Sequence, residues 1–75
     1  MSKQPKCPFE DAVVGDKPEM VSNPYTGQSC ELTPDAVATY DVIKGAEMFG
    51  KSKLVRTGLD WFIKHYTKEY MILLD

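Results

Sequence analysis

This chain has little of what makes a function easy to read. It carries one histidine, His65, and two cysteines, Cys7 and Cys30. A structural zinc site normally takes four Cys, His or carboxylate ligands at a recognisable spacing. Neither cysteine has a close Cys or His neighbour in the chain. A site would need Cys7, Cys30, His65 and an Asp to converge through the fold alone, so no metal is predicted. The same scarcity limits nucleophilic catalysis. Cys30 precedes a helix start, where a helix dipole can lower a thiol pKa, and His65 is the one imidazole base. No sequence pattern links the two. A free cysteine is more often a small buried apolar group, and His65 suits the C-terminal end of a helix. The expectation is no catalytic residue, no cofactor and no enzyme activity.

A dominant charge is also missing. The formal net charge is −2, which leaves no electrostatic footprint for nucleic acid. Basic residues are denser late in the chain, at Lys44, Lys51, Lys53, Arg56, Lys64 and Lys68, with Trp61, Phe62 and Tyr66 nearby for stacking. Asp41, Glu47, Asp60 and Glu69 interleave with them, and Trp61 and Phe62 fall at core positions. Nucleic-acid binding is therefore disfavoured. Asp41–Lys44, Lys44–Glu47 and Asp60–Lys64 are spaced as pairs on a solvated helix face. Long apolar runs are absent too: the longest is Met71–Leu74, far short of a membrane span. The opening MSKQPKCPFED has no apolar segment of the secretory type. These features predict a cytoplasmic protein with free thiols; a Cys7–Cys30 disulfide belongs only to an extracellular alternative.

What is present divides at Thr33, within one domain over residues 1–75. Residues 1–32 hold Pro5, Pro8, Pro18 and Pro24, which exclude a long helix. This stretch predicts an irregular arm or a short hairpin, with Ala12–Val14 and Glu19–Val21 as strands around Gly15–Pro18. Asn23 and Pro24 suit the first two positions of a type I turn, with Gly27 closing it. Residues 33–75 predict a helical core. Thr33 suits an N-cap, Pro34 the first helical position and Asp35 the positive helix end. Leu32 and Val37 can close a hydrophobic staple across that cap. The first helix should run from Pro34 to about Phe49, with Gly50 just past its end. Ser52 is expected to cap a second helix, and Thr67 a short third one. On helix two, Leu54, Val55, Gly58, Leu59, Phe62 and Tyr66 make one apolar face, with Trp61 and His65 beside it. Ala36, Ala38, Gly45 and Ala46 on helix one permit a tight crossing. Gly45 and Gly58 each serve close approach or merely weaken their helix by about 1 kcal/mol relative to Ala.

The fold expected is mainly α: a small helical hairpin plus a short C-terminal helix, with an extended N-terminal arm or short hairpin. Its aromatic content and the row Met71–Leu74 exceed what one small core should bury. The surplus predicts a contact surface for a protein partner or a second copy, using Trp61, Phe62, Tyr70, Met71, Leu73 and Leu74. The alternative is that the arm covers the surplus through Phe9, Val13, Val14, Met20 and Tyr25.

Over residues 23–75 the chain resembles small uncharacterised proteins of tailed bacteriophages. The resemblance rests on the Asn23–Gly27 turn, Leu32–Pro34, Tyr40–Asp41, Gly45–Glu47, Gly58–Phe62 and Tyr70–Asp75. It implies a phage origin and life in an infected bacterium, and carries no activity. The function expected is a non-enzymatic interaction module that binds a host or phage protein. A self-associating virion or assembly component is the second expectation, and a nucleic-acid-binding accessory factor the third.

Overall fold

A computed structural model describes residues 5–74. The fold is mainly α, with a two-stranded hairpin leading into three helices. Strand β1, Glu19–Ser22, pairs antiparallel with β2, Ser29–Leu32, in the register Glu19↔Leu32 to Ser22↔Ser29. The hairpin therefore lies one strand further along than the sequence predicts. Ala12–Val14 forms no strand; after a turn in which Ala12 N–H donates to the Phe9 carbonyl (3.3 Å), Val13 and Val14 lie exposed. The segment from Asn23 to Gln28 supplies the connection instead. Gly27 lies four residues after Asn23, so the turn is one residue wider than type I. Gly27 N–H donates to the Asn23 carbonyl at 2.9 Å, and Gly27 takes φ +77°, a conformation open to glycine.

Helix α1 spans Pro34–Met48. Thr33 caps it: its Oγ1 accepts from Ala36 N–H at 3.3 Å. At the other end Gly50, at φ +67°, donates to the Glu47 carbonyl, and Lys51 N–H donates to the Ala46 carbonyl at 2.8 Å. That pair of bonds is a Schellman ending, and it satisfies carbonyls the helix leaves open. Helix α2, Ser52–His65, follows immediately, and α3 spans Thr67–Leu73. Two expected caps differ. Ser52 and Thr67 are the first residues inside their helices, whose N-caps are Lys51 and Tyr66 without side-chain hydrogen bonds. Thr67 Oγ1 donates back to the Ile63 carbonyl at 2.6 Å, tying α3 to the last turn of α2.

Contacts between α1 and α2 run in reverse order. Ile43 meets Gly58 near the middle, and Thr33 Oγ1 lies 3.2 Å from the Tyr66 hydroxyl at the far end. The two helices thus form an antiparallel hairpin. Its closeness is set by one glycine. A Cβ on Gly58 would collide with the Ile43 side chain, lying 2.7 Å from Cδ1. Gly45 has open space where its Cβ would be, so it serves no close approach. Leu32, Ala36, Ile43, Trp61, Phe62 and Leu73 form the central cluster. β2 adds to it because alternate residues face inward: Leu32 is buried and Cys30 half-buried, while Ser29 and Glu31 are exposed.

The arm covers one side of this hairpin. Trp61 Nε1 donates to the Lys6 carbonyl at 2.7 Å, and Cys7 N–H donates to Asp35 Oδ1 at 2.8 Å. Phe9 reaches the Gly58 position. The rest of the expected cover does not materialise: Val13, Val14, Met20 and Tyr25 are exposed.

Candidate functional site

At 100° per residue, the side chains flanking Phe62 on α2 fall into two sets. Leu54, Gly58 and Trp61 lie on one flank, the side on which the arm runs. Val55, Leu59 and Ile63 lie on the other, at intervals of four residues, and no described residue of the arm lines the surface there. A groove of about 630 Å³ runs along this second flank. Ala46 and Gly50 wall it at the α1 end, and Tyr70 of α3 walls it at the far end. Its floor is apolar, from Val55, Leu59 and Ile63. Its rim is charged, with Glu47, Lys51, Arg56 and Asp60. Just outside the α1 end, Met48 and Phe49 are exposed, Phe49 to 77%. Both sit where α1 ends and the chain reverses, a position fixed by the Gly50 ending.

The residues expected to meet a partner divide. Trp61 is 9% exposed, Phe62 fully buried and Leu73 3% exposed. These three belong to the monomer's core and offer no surface. The physical reason is the close approach of α2 to α1 at Gly58 and the packing of α3 on α2 and β2, together with the arm lying over Trp61. Tyr70 and Leu74 are half-buried against the same core, and Tyr70 also lines the groove. Met71 is 62% exposed. The row Met71–Leu74 is thus largely absorbed: Ile72 and Leu74 pack on the cluster and Leu73 enters it.

Ile63 is the residue that sequence reasoning missed. It is 44% exposed on the groove floor and is not part of the packed cluster. Its spacing from Val55 and Leu59 was the available signal. Leu54 shows the opposite error, since it stands 42% exposed beside the arm rather than in the hairpin seam. A second hollow of about 450 Å³ lies there, between Phe9, Ala12, Val42 and Leu54. It is bounded by the arm itself.

Burial, and then the nearby Glu69 carboxylate, push the Cys30 thiol above its ordinary pKa. That is the reverse of what a nucleophilic thiol needs. Cys7 and Cys30 are both free. His65 lies against Trp61, with ring centroids 5.5 Å apart. Among the described residues, no three His, Cys, Asp or Glu side chains come together in a way that could hold a metal ion. Lys44, expected to pair with carboxylates, places its Nζ 5.4 Å from the Tyr40 ring centroid, a cation–π contact. No helix among the described residues is long and apolar enough to cross a membrane. Comparison with protein-family models, curated proteins and solved structures yields no match.

Proposed function

We propose that this chain is a small non-enzymatic interaction module and that the α2 groove is its protein-docking surface. The observation that carries this reading is the open flank Val55–Leu59–Ile63, apolar along its floor and ringed by Glu47, Lys51, Arg56 and Asp60. Apolar floors with polar rims are how protein contact sites are built, and an aliphatic row at four-residue spacing matches the ridge another helix packs against. The burial of Trp61 and Phe62 favours protein over nucleic acid, because the aromatic pair that would stack on bases is enclosed. The raised thiol pKa of Cys30 favours binding over catalysis. The resemblance to small tailed-phage proteins sets the proposed context as the cytoplasm of an infected bacterium, with the partner a host or phage protein or the chain itself.

A photoreactive side chain introduced at Ile63, with Lys64 as the solvent-facing control, tests this in the cell that makes the protein. Protein adducts should form at position 63 and be scarce at position 64. Equal adducts at both positions, or adducts mainly to nucleic acid at 63, would overturn the reading.

A further inference from the structure

We infer that the occupant of the groove is a second copy of this chain, docked so that the two α2 helices run antiparallel across a twofold axis near Leu59. The inference rests on the groove being a protein-docking surface and goes on to name what fills it. Two features of the groove are their own complements when reversed.

The first is charge. Arg56 and Asp60 stand four residues apart on the outer rim of the groove, one basic and one acidic. In an antiparallel pair related by a twofold axis, each flank meets its own copy running the other way. Arg56 of one copy then faces Asp60 of its partner, and Asp60 faces Arg56. A rim of one sign would repel itself in this arrangement. This rim attracts itself twice, and the apolar row Val55–Leu59–Ile63 meets its own reverse alongside the two charge pairs.

The second is shape. Met48 and Phe49 project at the N-terminal end of α2, while Tyr70 and Ile63 bound the groove at its C-terminal end. Reversing one α2 against the other carries the exposed Phe49 corner of each copy to the Tyr70 end of the groove in the other. The protruding corner and the recess lie at opposite ends of one helix about 21 Å long. Each copy therefore presents both a knob and a hole, as an isologous contact requires.

Sedimentation of charge variants tests the pairing. Arg56→Glu gives a rim that is acidic at both positions, and Asp60→Lys gives one that is basic at both. Arg56 and Asp60 are both solvent-exposed, and circular dichroism checks that the helices are intact. The wild-type chain should dimerise with rising concentration. Each single variant should raise the dissociation constant about tenfold or more, because one substitution sets two like-charge contacts against each other. An equimolar mixture of the two variants should recover the dimer as a heterodimer, and the doubly substituted Arg56→Glu, Asp60→Lys chain should dimerise like wild type. Single variants that sediment like wild type, or a mixture that stays monomeric, would overturn the antiparallel pairing. A wild-type chain that is monomeric at every concentration, yet cross-links to another protein from Ile63, would sink the second copy while leaving the groove as a docking site. Absence of protein adducts at Ile63 would remove both.

Discussion

Asn23 Nδ2 donates to the Ile72 carbonyl at 2.9 Å, joining the hairpin turn to the C-terminal helix across 49 residues of sequence. The same residue accepts from Tyr25 N–H through Oδ1 at 2.8 Å, and its own N–H donates to the Gln28 carbonyl at 2.7 Å. Asn23 is buried, so each of these bonds replaces water. Asn23→Ala should cost roughly 1–3 kcal/mol, the range for stranding buried polar groups. Asn23→Asp keeps the acceptor for Tyr25 but sets a carboxylate oxygen against the Ile72 carbonyl. Only its protonated form can donate there, so its folded pKa is raised. Its stability relative to wild type should rise as the pH is lowered through the carboxylate range. Urea unfolding at several pH values checks both; a wild-type midpoint for Asn23→Ala would count against the tie.

The two helix glycines should respond oppositely to alanine. Gly58→Ala drives a Cβ into Ile43 and should destabilise the chain by about 1–3 kcal/mol, the usual cost of overpacking. In an Ile43→Ala background, where both side-chain atoms nearest that Cβ are gone, Gly58→Ala should cost less than it does in the wild type. Gly45→Ala enters open space within a helix and should stabilise by about 0.5–1 kcal/mol. Thermal melts of these variants suffice, and a stabilising Gly58→Ala would contradict the close approach.

Thr33 joins two elements through one hydroxyl, as cap for α1 and neighbour of the Tyr66 hydroxyl. Thr33→Ala should cost about 0.5–2 kcal/mol, while Thr33→Ser retains most of the stability. Tyr66→Phe leaves the Ala36 bond in place and should cost less than Thr33→Ala. Denaturant midpoints for the three set the order, and equal losses would assign the effect to the Tyr66 contact alone.

The helical half was legible because its signals are local. Thr33, Pro34 and Asp35 act within one turn, and Gly50 ends α1 by its own backbone conformation. The hairpin was displaced because its pairing is decided elsewhere. Val21 and Cys30 are opposite each other, both half-buried and packed on the helical core, and Asn23 is held by Ile72, none of which adjacent residues encode. The groove was half legible. Val55 and Leu59 stood on an apolar face, but helical spacing alone does not say which flank the arm will cover. The Trp61–Lys6 bond makes that choice. Trp61 became core and Ile63 became surface as a consequence, while Phe62, midway between the flanks, packs in the central cluster.

Cys30 predicts a specific alkaline weakness. Its thiol is held protonated by burial and by Glu69, so its folded pKa lies above the unfolded one. The resulting stability is fully present below an unfolded pKa of about 8.5 and is lost as the pH rises through the folded value. Cys30→Ala should therefore lose less stability than wild type between neutral pH and pH of about 10. Glu69→Gln removes the second cause and should bring thiol modification at Cys30 to lower pH. Reaction rates with a thiol reagent against pH check this, and a Cys30 profile unaffected by Glu69→Gln would contradict it.

Oxidative footprinting of Tyr70 and Leu59 inside the producing cell tests the docking groove most directly. Wild type is compared with Ile63→Lys, a change on the groove floor outside the packed cluster and in the last turn of α2, where a cation suits the helix end. Tyr70 and Leu59 should be modified several-fold less in wild type, because a bound protein shields them. Val13 and Tyr25, exposed elsewhere, should react alike in both chains. Equal modification of Tyr70 and Leu59 in the two chains would show the groove open to solvent and contradict its role as a contact surface.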